Sequence, residues 1–393
     1  MTRSYLVAGV RTPIGKFRGG LAPLRAVELG AVAIADALRR AGLPADAPDY
    51  VIMGHVLQAG QGQITARQAA IAAGIPKEIP SITVNKVCLS GMSAIAMADQ
   101  MIRAGEVDLV VAGGMESMTN APFVLPQARE GARLGHSPML DVMLQDGLWC
   151  AFDDRHMGAG TDAVNRELGI DRDAQDAWAA RSQTRAAHAW ESGLLAQEVV
   201  PIEVPQRKGE AVLIAADEGI RPDTSVDRLA ALAPAFSQDG TVTAGNASQI
   251  SDGAAATVIA SEEAVRRHGL TPLAEIVAYG MSADRYPSLH TVPALAMEKA
   301  LAKAGLSASD LALVEINEAF AAVAVHATRM LGVDEGIVNV TGGAVALGHP
   351  IGSSGARIVL TLVHELRRRG AAFGGAAICG GGGQGDALVV RAL

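Results

Sequence analysis

At 393 residues the chain is too long for one typical core, so two or three domains, or a fused pair of similar halves, are expected. A formal charge of −8 argues against nucleic acid and anionic membrane as partners, so an anionic ligand would have to be met by a local basic cluster. Three cysteines without regular spacing give no disulfide framework and no zinc ligand set, which excludes a metal site of that kind, fits a reducing cytoplasm and points toward thiol chemistry.

Taken in order, residues 5–10 read as a strand with no apolar leader before it, followed by the turn Arg11-Thr-Pro-Ile-Gly15. Residues 26–41 have helical apolar spacing closed by Gly42 and Pro44; 50–54 is strand-like and 65–73 helical. Residues 82–87 form a short apolar run, Cys88 follows at a corner, and 93–103 is a helix stopped by Gly105. Residues 108–112 are a strand that opens onto Gly113-Gly114. Alternation of this kind predicts a parallel or mixed sheet with helices on both faces. No apolar run is long enough to span a bilayer.

The composition changes near Thr119. From there to about Ser248 come scattered prolines, more charge, all three tryptophans and a helical patch over 171–192, which reads as a long insertion with its own helical layer. The alternation then resumes, with strand 254–260, helix 262–268, helix 293–304, and strand 314–317 running into a helix near Glu318. Strand 337–340, a small-residue loop over 341–354, helix 355–369, strand 376–379 and the run Gly380 to Gly383 complete it. The final stretch repeats the pattern around Cys88: strand, corner, helix, glycine, strand, glycine-rich turn. Two such halves side by side would bring Cys88, His349 and Cys379 to one rim.

At Cys88 the unpaired N–H groups and positive end of the following helix favour a thiolate, although a small cysteine packing a corner is the alternative. A glycine run after a strand also suggests a dinucleotide loop, but residues 387–390 read as another strand and leave no helix to receive a pyrophosphate. His349, between Gly348 and Pro350, is either a catalytic group or a loop histidine bonded to backbone, and Asn317 could cap the next helix. Cys150 beside Trp149 has no motif around it and reads as structural. So do His55, His188, His268, His326 and His364.

Four segments together, Asn85-Lys-Val-Cys-Leu-Ser-Gly91, Asn317-Glu-Ala-Phe320, Gly342-Gly-Ala-Val-Ala-Leu-Gly-His-Pro350 and Cys379-Gly-Gly-Gly-Gly-Gln-Gly385, resemble the thiolases, the acyl-CoA acetyltransferase family. The resemblance covers the whole chain. It implies duplicated α/β halves in a five-layered core with an inserted loop domain: residues 1–118 with 250–271, an insertion 119–249 that covers coenzyme A, and 272–393. It further implies acylation of Cys88, acid/base work by Cys379, one oxyanion hole from His349 with Asn317, and another from the backbone N–H groups of Cys88 and Gly381.

The residue types suit that chemistry. Joining two acetyl thioesters, or cleaving a 3-ketoacyl thioester with free CoA, needs an acyl-carrying nucleophile, a base for a proton beside a carbonyl, and donors for two oxyanions. For CoA, which acts as substrate and not as a permanently bound cofactor, the resemblance points to Arg221, Phe236, Ala244 and Ser248, with Leu148, His156, Met157 and Phe320 near the pantetheine and acyl group. Arg228 is a further basic candidate, and Arg221 could equally be a solvated charge.

Two departures stand out: Leu89 where many members have a small residue, which could reshape the pocket floor, and Leu289-His-Thr-Val-Pro293 in a stretch that walls the acyl pocket. The function expected is a cytoplasmic acetyl-CoA C-acetyltransferase working on acetoacetyl-CoA, a homotetramer built as a dimer of dimers, with no metal, nucleic acid or membrane partner. The alternatives are a longer-chain 3-ketoacyl-CoA thiolase and a non-catalytic acyl-CoA binding protein. Decarboxylating ketoacyl synthases share the nucleophile and histidine logic but would not keep Cys379.

Overall fold

The computed structural model describes residues 2–131, 133–206, 208–284 and 288–393. One large sheet runs through it. Apart from the two-residue strand Gly15–Lys16, its strands are β1 (Ser4–Arg11), β2 (Tyr50–Gly54), β3 (Ser81–Val84), β4 (Leu109–Ser117), β5 (Ser251–Ser261), β6 (Ala274–Ala283), β7 (Leu313–Ile316), β8 (Phe373–Gly380) and β9 (Gln384–Ala392). They lie in the order β7-β8-β9-β6-β1-β5-β4-β2-β3.

This order is a near-mirror about its centre. On one side β1–β5 and β5–β4 are antiparallel while β4–β2 and β2–β3 are parallel. On the other, β6–β9 and β9–β8 are antiparallel and β8–β7 is parallel. Within the sheet the halves pair through Tyr5 and Leu6 of β1 opposite Glu275 and Ala274 of β6. The duplication expected from the echoing pattern is therefore present in the strand order.

The alternation of side chains along the strands then builds the layers. Ile52, Val110, Ala112, Ala376 and Ile378 face a shared middle core holding helices α3 (Ser90–Ala104) and α9 (Ser354–Arg369). Their neighbours Val51, Met53, Leu109 and Val111 face outward onto α1 (Ala26–Ala41) and α2 (Thr65–Ala72). Ala377, Ala387 and Val389 face the opposite outer layer of α7 (Val292–Ala304) and α8 (Ala321–Leu331). Five layers result, with the middle helices from different halves packed on each other. Helices α4 (Met157–Leu168) and α5 (Arg172–Glu191) belong to the long excursion between β4 and β5, and α6 (Glu262–His268) follows β5.

Four readings change. No strand forms over 337–340: a 3-10 turn, Glu335–Ile337, leads to a single bridge between Val338 and Val314. The reason is Asn339, at φ 49°, whose side chain bonds both the N–H and the C=O of Ile316 at 2.8 Å and takes the place of a backbone partner. The helix expected near Glu318 begins only at Ala321, because Ala319 and Ala321 bond the backbone of Ser248 and Asn246 instead of coiling.

Strand β4 runs past Ala112 to Ser117. Its Gly113 lies so close to β5 that an added Cβ would sit 2.1 Å from the Ala255 oxygen. Strand β6 alternates in exposure, yet Gly280 and small residues break the apolar pattern that would mark it in the sequence. An added Cβ at Gly280 would lie 2.1 Å from the Ala296 oxygen of α7.

Candidate active site

Three corners meet in the middle layer. Cys88 sits between β3 and α3, held by the left-handed Val87 (φ 50°). His349 follows the short helix Ala344–Leu347 and precedes α9. Cys379 lies near the end of β8, before the tight turn into β9 that carries Gly381. All four residues line one cavity of about 330 Å3. Asn317, directly after β7, is fully buried behind it and places Nδ2 3.5 Å from His349 Nε2. Its Oδ1 lies 3.5 Å from Arg357, a side chain with donors only, which sets the amide orientation. Asn317 caps no helix, since α8 starts four residues later.

The electrostatics reverse one expectation. Burial pushes the Cys88 thiol up to about 12, against the lowering effect of the backbone N–H groups of Cys88 and Gly381, which both point at its sulfur. Desolvation of the charged form therefore opposes the helix terminus and favours the neutral thiol. Burial likewise raises Cys379 well above the ordinary range, with Cys88 adding a further upward push, so the two sulfurs sense each other. Burial, then the Arg357 charge, brings His349 down to about 3. His349 Nδ1 lies 2.6 Å from Ser354 Oγ, which fixes the ring plane and leaves Nε2 facing Asn317.

The protein atoms around the glycine run constrain its members differently. An added Cβ at Gly381 would touch only Val87, at an ordinary 3.5 Å. The demand for glycine lies at its neighbours: Gly382 and Gly383 have φ of 80° and 72°, and a Cβ at Gly380 would come within 2.7 Å of Leu89. Leu89 itself packs into the core against Gly380 and is not among the residues that line the cavity.

Above the sulfurs the cavity is closed by the excursion between β4 and β5. Leu148, His156, Met157, Phe236, Ala244, Ser248 and Phe320 all line it. The His156 ring stacks on Phe236 at 4.6 Å, and Phe236 meets Phe320 edge-on at 6.3 Å. This gives an apolar slot leading down to the thiols.

Arg221 is not part of the lining. Its side chain is exposed, and its backbone N–H donates to Gln183 Oε1. Arg228 is paired with Asp223, whose carboxyl it holds below the usual range. Residues that the motifs did not mark include Gln249, Ile250 and Ile351 of the lining, and the supports Ser354 and Arg357. Ser354 lies in a run of small residues with no signal of its own. Cys150 is buried in an apolar cluster with Met157, Leu289 and Cys379. No group of side chains suited to holding a metal ion occurs among the described residues, and no described helix is long and apolar enough to cross a membrane.

Two family models match: the thiolase N-terminal domain over residues 4–263 and the thiolase C-terminal domain over residues 270–392. The chain belongs to the thiolase family. Among similar thiolases, a probable acetyl-CoA acetyltransferase of Mycobacterium tuberculosis is 54% identical over 392 residues, covering 100% of both chains. An acetyl-CoA acetyltransferase of Cupriavidus necator is 48% identical over 391 residues, again covering 100% of both. The crystal structure of the Bacillus anthracis acetyl-CoA acetyltransferase superposes with a TM-score of 0.97 at 42% identity, covering 100% of this chain and 99% of that one. The thiolase frame accounts for the mirror-ordered sheet, and the two family models meet between β5 and β6, close to where the halves join.

Proposed function

We propose that this thiolase is an acetyl-CoA C-acetyltransferase that interconverts two acetyl-CoA with acetoacetyl-CoA and free CoA through an acetyl-Cys88 intermediate. The observation that carries this reading is one cavity lined by Cys88, Cys379, His349 and Gly381 together. In this reading residues 119–249 act as the loop domain that receives CoA, set against halves formed by residues 1–118 with 250–271 and by 272–393. The protein works in the cytoplasm as a homotetramer.

The mechanism follows from the groups present. As the Cys88 sulfur adds to the thioester carbonyl, its proton passes to His349, and the N–H groups of Cys88 and Gly381 receive the oxyanion. Cys379 protonates the departing CoA sulfur and is left as a thiolate. That thiolate removes an α-proton from the second acetyl-CoA, and the enolate oxygen is met by His349 with Asn317. The carbanion attacks the acetyl carbonyl, Cys88 leaves as a thiolate, and the protonated histidine returns its proton to that sulfur, which restores the neutral thiol and imidazole of the start. Neutral groups at rest suit this scheme: the site charges only when substrate has displaced water and brought its own dipoles.

Steady-state thiolysis of acetoacetyl-CoA tests the reading. Parallel double-reciprocal lines against CoA, and a higher kcat/KM on acetoacetyl-CoA than on 3-ketohexanoyl-CoA, are the expected result. Intersecting lines would remove the covalent intermediate. A preference for the longer substrate would make the enzyme a longer-chain thiolase, and no turnover of either would leave an acyl-CoA binding protein.

A further inference from the structure

The two residues before the nucleophile carry an arrangement that the reaction scheme does not use. Val87 is β-branched yet left-handed, a conformation such residues rarely hold without help. Local bonds support it: Val87 N–H donates to Asn85 Oδ1 at 3.0 Å, Ser90 O–H donates to Val87 O at 2.6 Å, and Lys86 N–H donates to Ser90 Oγ at 2.9 Å.

A further support comes from the other half of the molecule. Asp386 of β9 is 0% exposed, and its carboxylate accepts from Lys86 Nζ at 2.7 Å and from the Ser93 O–H of α3 at 2.7 Å. The register of β8 with β9 sets Asp386 opposite Ile378, the residue just before Cys379. One carboxylate thus joins the corner that presents the first sulfur to the strand that carries the second. A buried carboxylate deprived of its cation is strongly unfavourable, so Asp386 holds the Lys86 side chain in place and, through it, the start of the left-handed turn. Neither Lys86 nor Asp386 lines the cavity, so whatever they contribute passes through their neighbours.

We propose that Asp386 is a positioning residue: by pairing with Lys86 it holds the Val87 turn and fixes the Cys88 sulfur relative to the Cys379 sulfur. The inference rests on the two-sulfur reading above. It predicts that breaking the pair moves the sulfurs apart without removing substrate contacts.

The test uses the full-length protein and the variants Lys86→Met, Asp386→Asn, Lys86→Arg and the double variant Lys86→Met/Asp386→Leu, which leaves no unpaired buried charge. Two readouts are taken, with the Tm of each variant as control. The first is the yield of intramolecular Cys88–Cys379 crosslink with 1,3-dibromoacetone, mapped by mass spectrometry. The second is kcat and KM for acetoacetyl-CoA thiolysis. Lys86→Met and Asp386→Asn are expected to lose crosslink yield and to lower kcat on the order of 10²-fold, with KM changed by no more than about 2-fold, as a displaced reacting group does. Lys86→Arg should keep most of both. The double variant should match wild type in Tm yet stay as deficient as Lys86→Met. A double variant with wild-type crosslinking and kcat would overturn the proposal, as would losses that simply follow Tm. Crosslinking that drops in the variants of an enzyme that proves to have no thiolysis would keep the positioning role and defeat the functional reading. Full activity in wild type with unchanged crosslinking in Lys86→Met would do the opposite.

Discussion

Glu318 is the most informative residue to remove outside the reacting groups. Its fully buried carboxylate accepts four hydrogen bonds: from Trp178 Nε1 at 2.8 Å, Ser182 Oγ at 2.7 Å, Asn339 Nδ2 at 2.8 Å and the Val345 N–H at 3.0 Å. The first two lie on α5, and the last two on the segment that leads to His349, so one side chain fastens the excursion to the catalytic loop. In Glu318→Ala four buried donors lose their acceptor at roughly 1–3 kcal/mol each, only partly recovered by rearrangement. The expected loss of stability is about 5 kcal/mol, comparable with the low end of a whole domain's stability. In Glu318→Gln one oxygen remains, and the Ser182 hydroxyl can turn to accept from the new amide, which limits the loss to about 2 kcal/mol. Guanidinium unfolding followed by tryptophan fluorescence reads both variants, because Trp178 is itself a partner. Glu318→Gln should also lower kcat with little change in KM, since Asn339 and Val345 set the approach to His349. A Glu318→Ala protein within about 1 kcal/mol of wild type would refute the argument that these bonds hold the loop.

Other consequences follow from the same structure. At Gly114 an added Cβ would lie 2.0 Å from the Gly352 oxygen, so Gly114→Ala must separate β4 from the loop after His349. Soluble yield or Tm should fall sharply, and a Tm near wild type would contradict the close packing. Leu289 and Met157 both line the catalytic cavity and a second cavity of about 440 Å3 beside it, so they form the wall between them. Leu289→Ala should raise the kcat/KM ratio of 3-ketohexanoyl-CoA to acetoacetyl-CoA by about 10-fold, the effect of one or two methylenes in an apolar pocket; an unchanged ratio would remove Leu289 from the wall.

His290 is brought down to about 3 by burial and, secondarily, by His326. Its folded pKa is below the unfolded value near 6.5, so the unfolded chain binds the extra proton between those limits, and stability falls as pH drops from about 6.5 toward 3. The slope from this one group reaches about 1.4 kcal/mol per pH unit, and His290→Gln should flatten the acid limb of urea midpoints by that amount. An identical limb would show that His290 is not buried neutral.

The sequence patterns located the cysteines and histidine that share the cavity better than the supports around them. Cys88 and Cys379 each stand at the end of an apolar run visible in the chain, whereas His349 lies in the small-residue loop, after a short helix that the pattern did not show. The alternation of strand and helix was readable from such apolar runs, while the five layers were expected from the resemblance to the thiolases alone. The failures lie where side chains replaced backbone partners. Asn339 substitutes for a strand, the residues after Asn317 pair with the excursion instead of coiling, and Arg221 has the charge for a phosphate but lies outside the cavity. Helix-terminus reasoning at Cys88 sees the local backbone and not the depth of burial, which pushes the thiol the other way. Ser354, Arg357 and Asp386 act through contacts 5, 40 and 300 residues away in the chain, which no local pattern reveals.

The central claim is that one sulfur carries the acyl group while the other moves the proton. Single-turnover labelling with radioactive acetyl-CoA, followed by peptide mapping, tests it most directly in wild type, Cys88→Ala and Cys379→Ser. The account predicts label on Cys88 in wild type and in Cys379→Ser, no label in Cys88→Ala, and no net thiolysis by either variant. Label on Cys379, or equal loss of labelling in both variants, would contradict it.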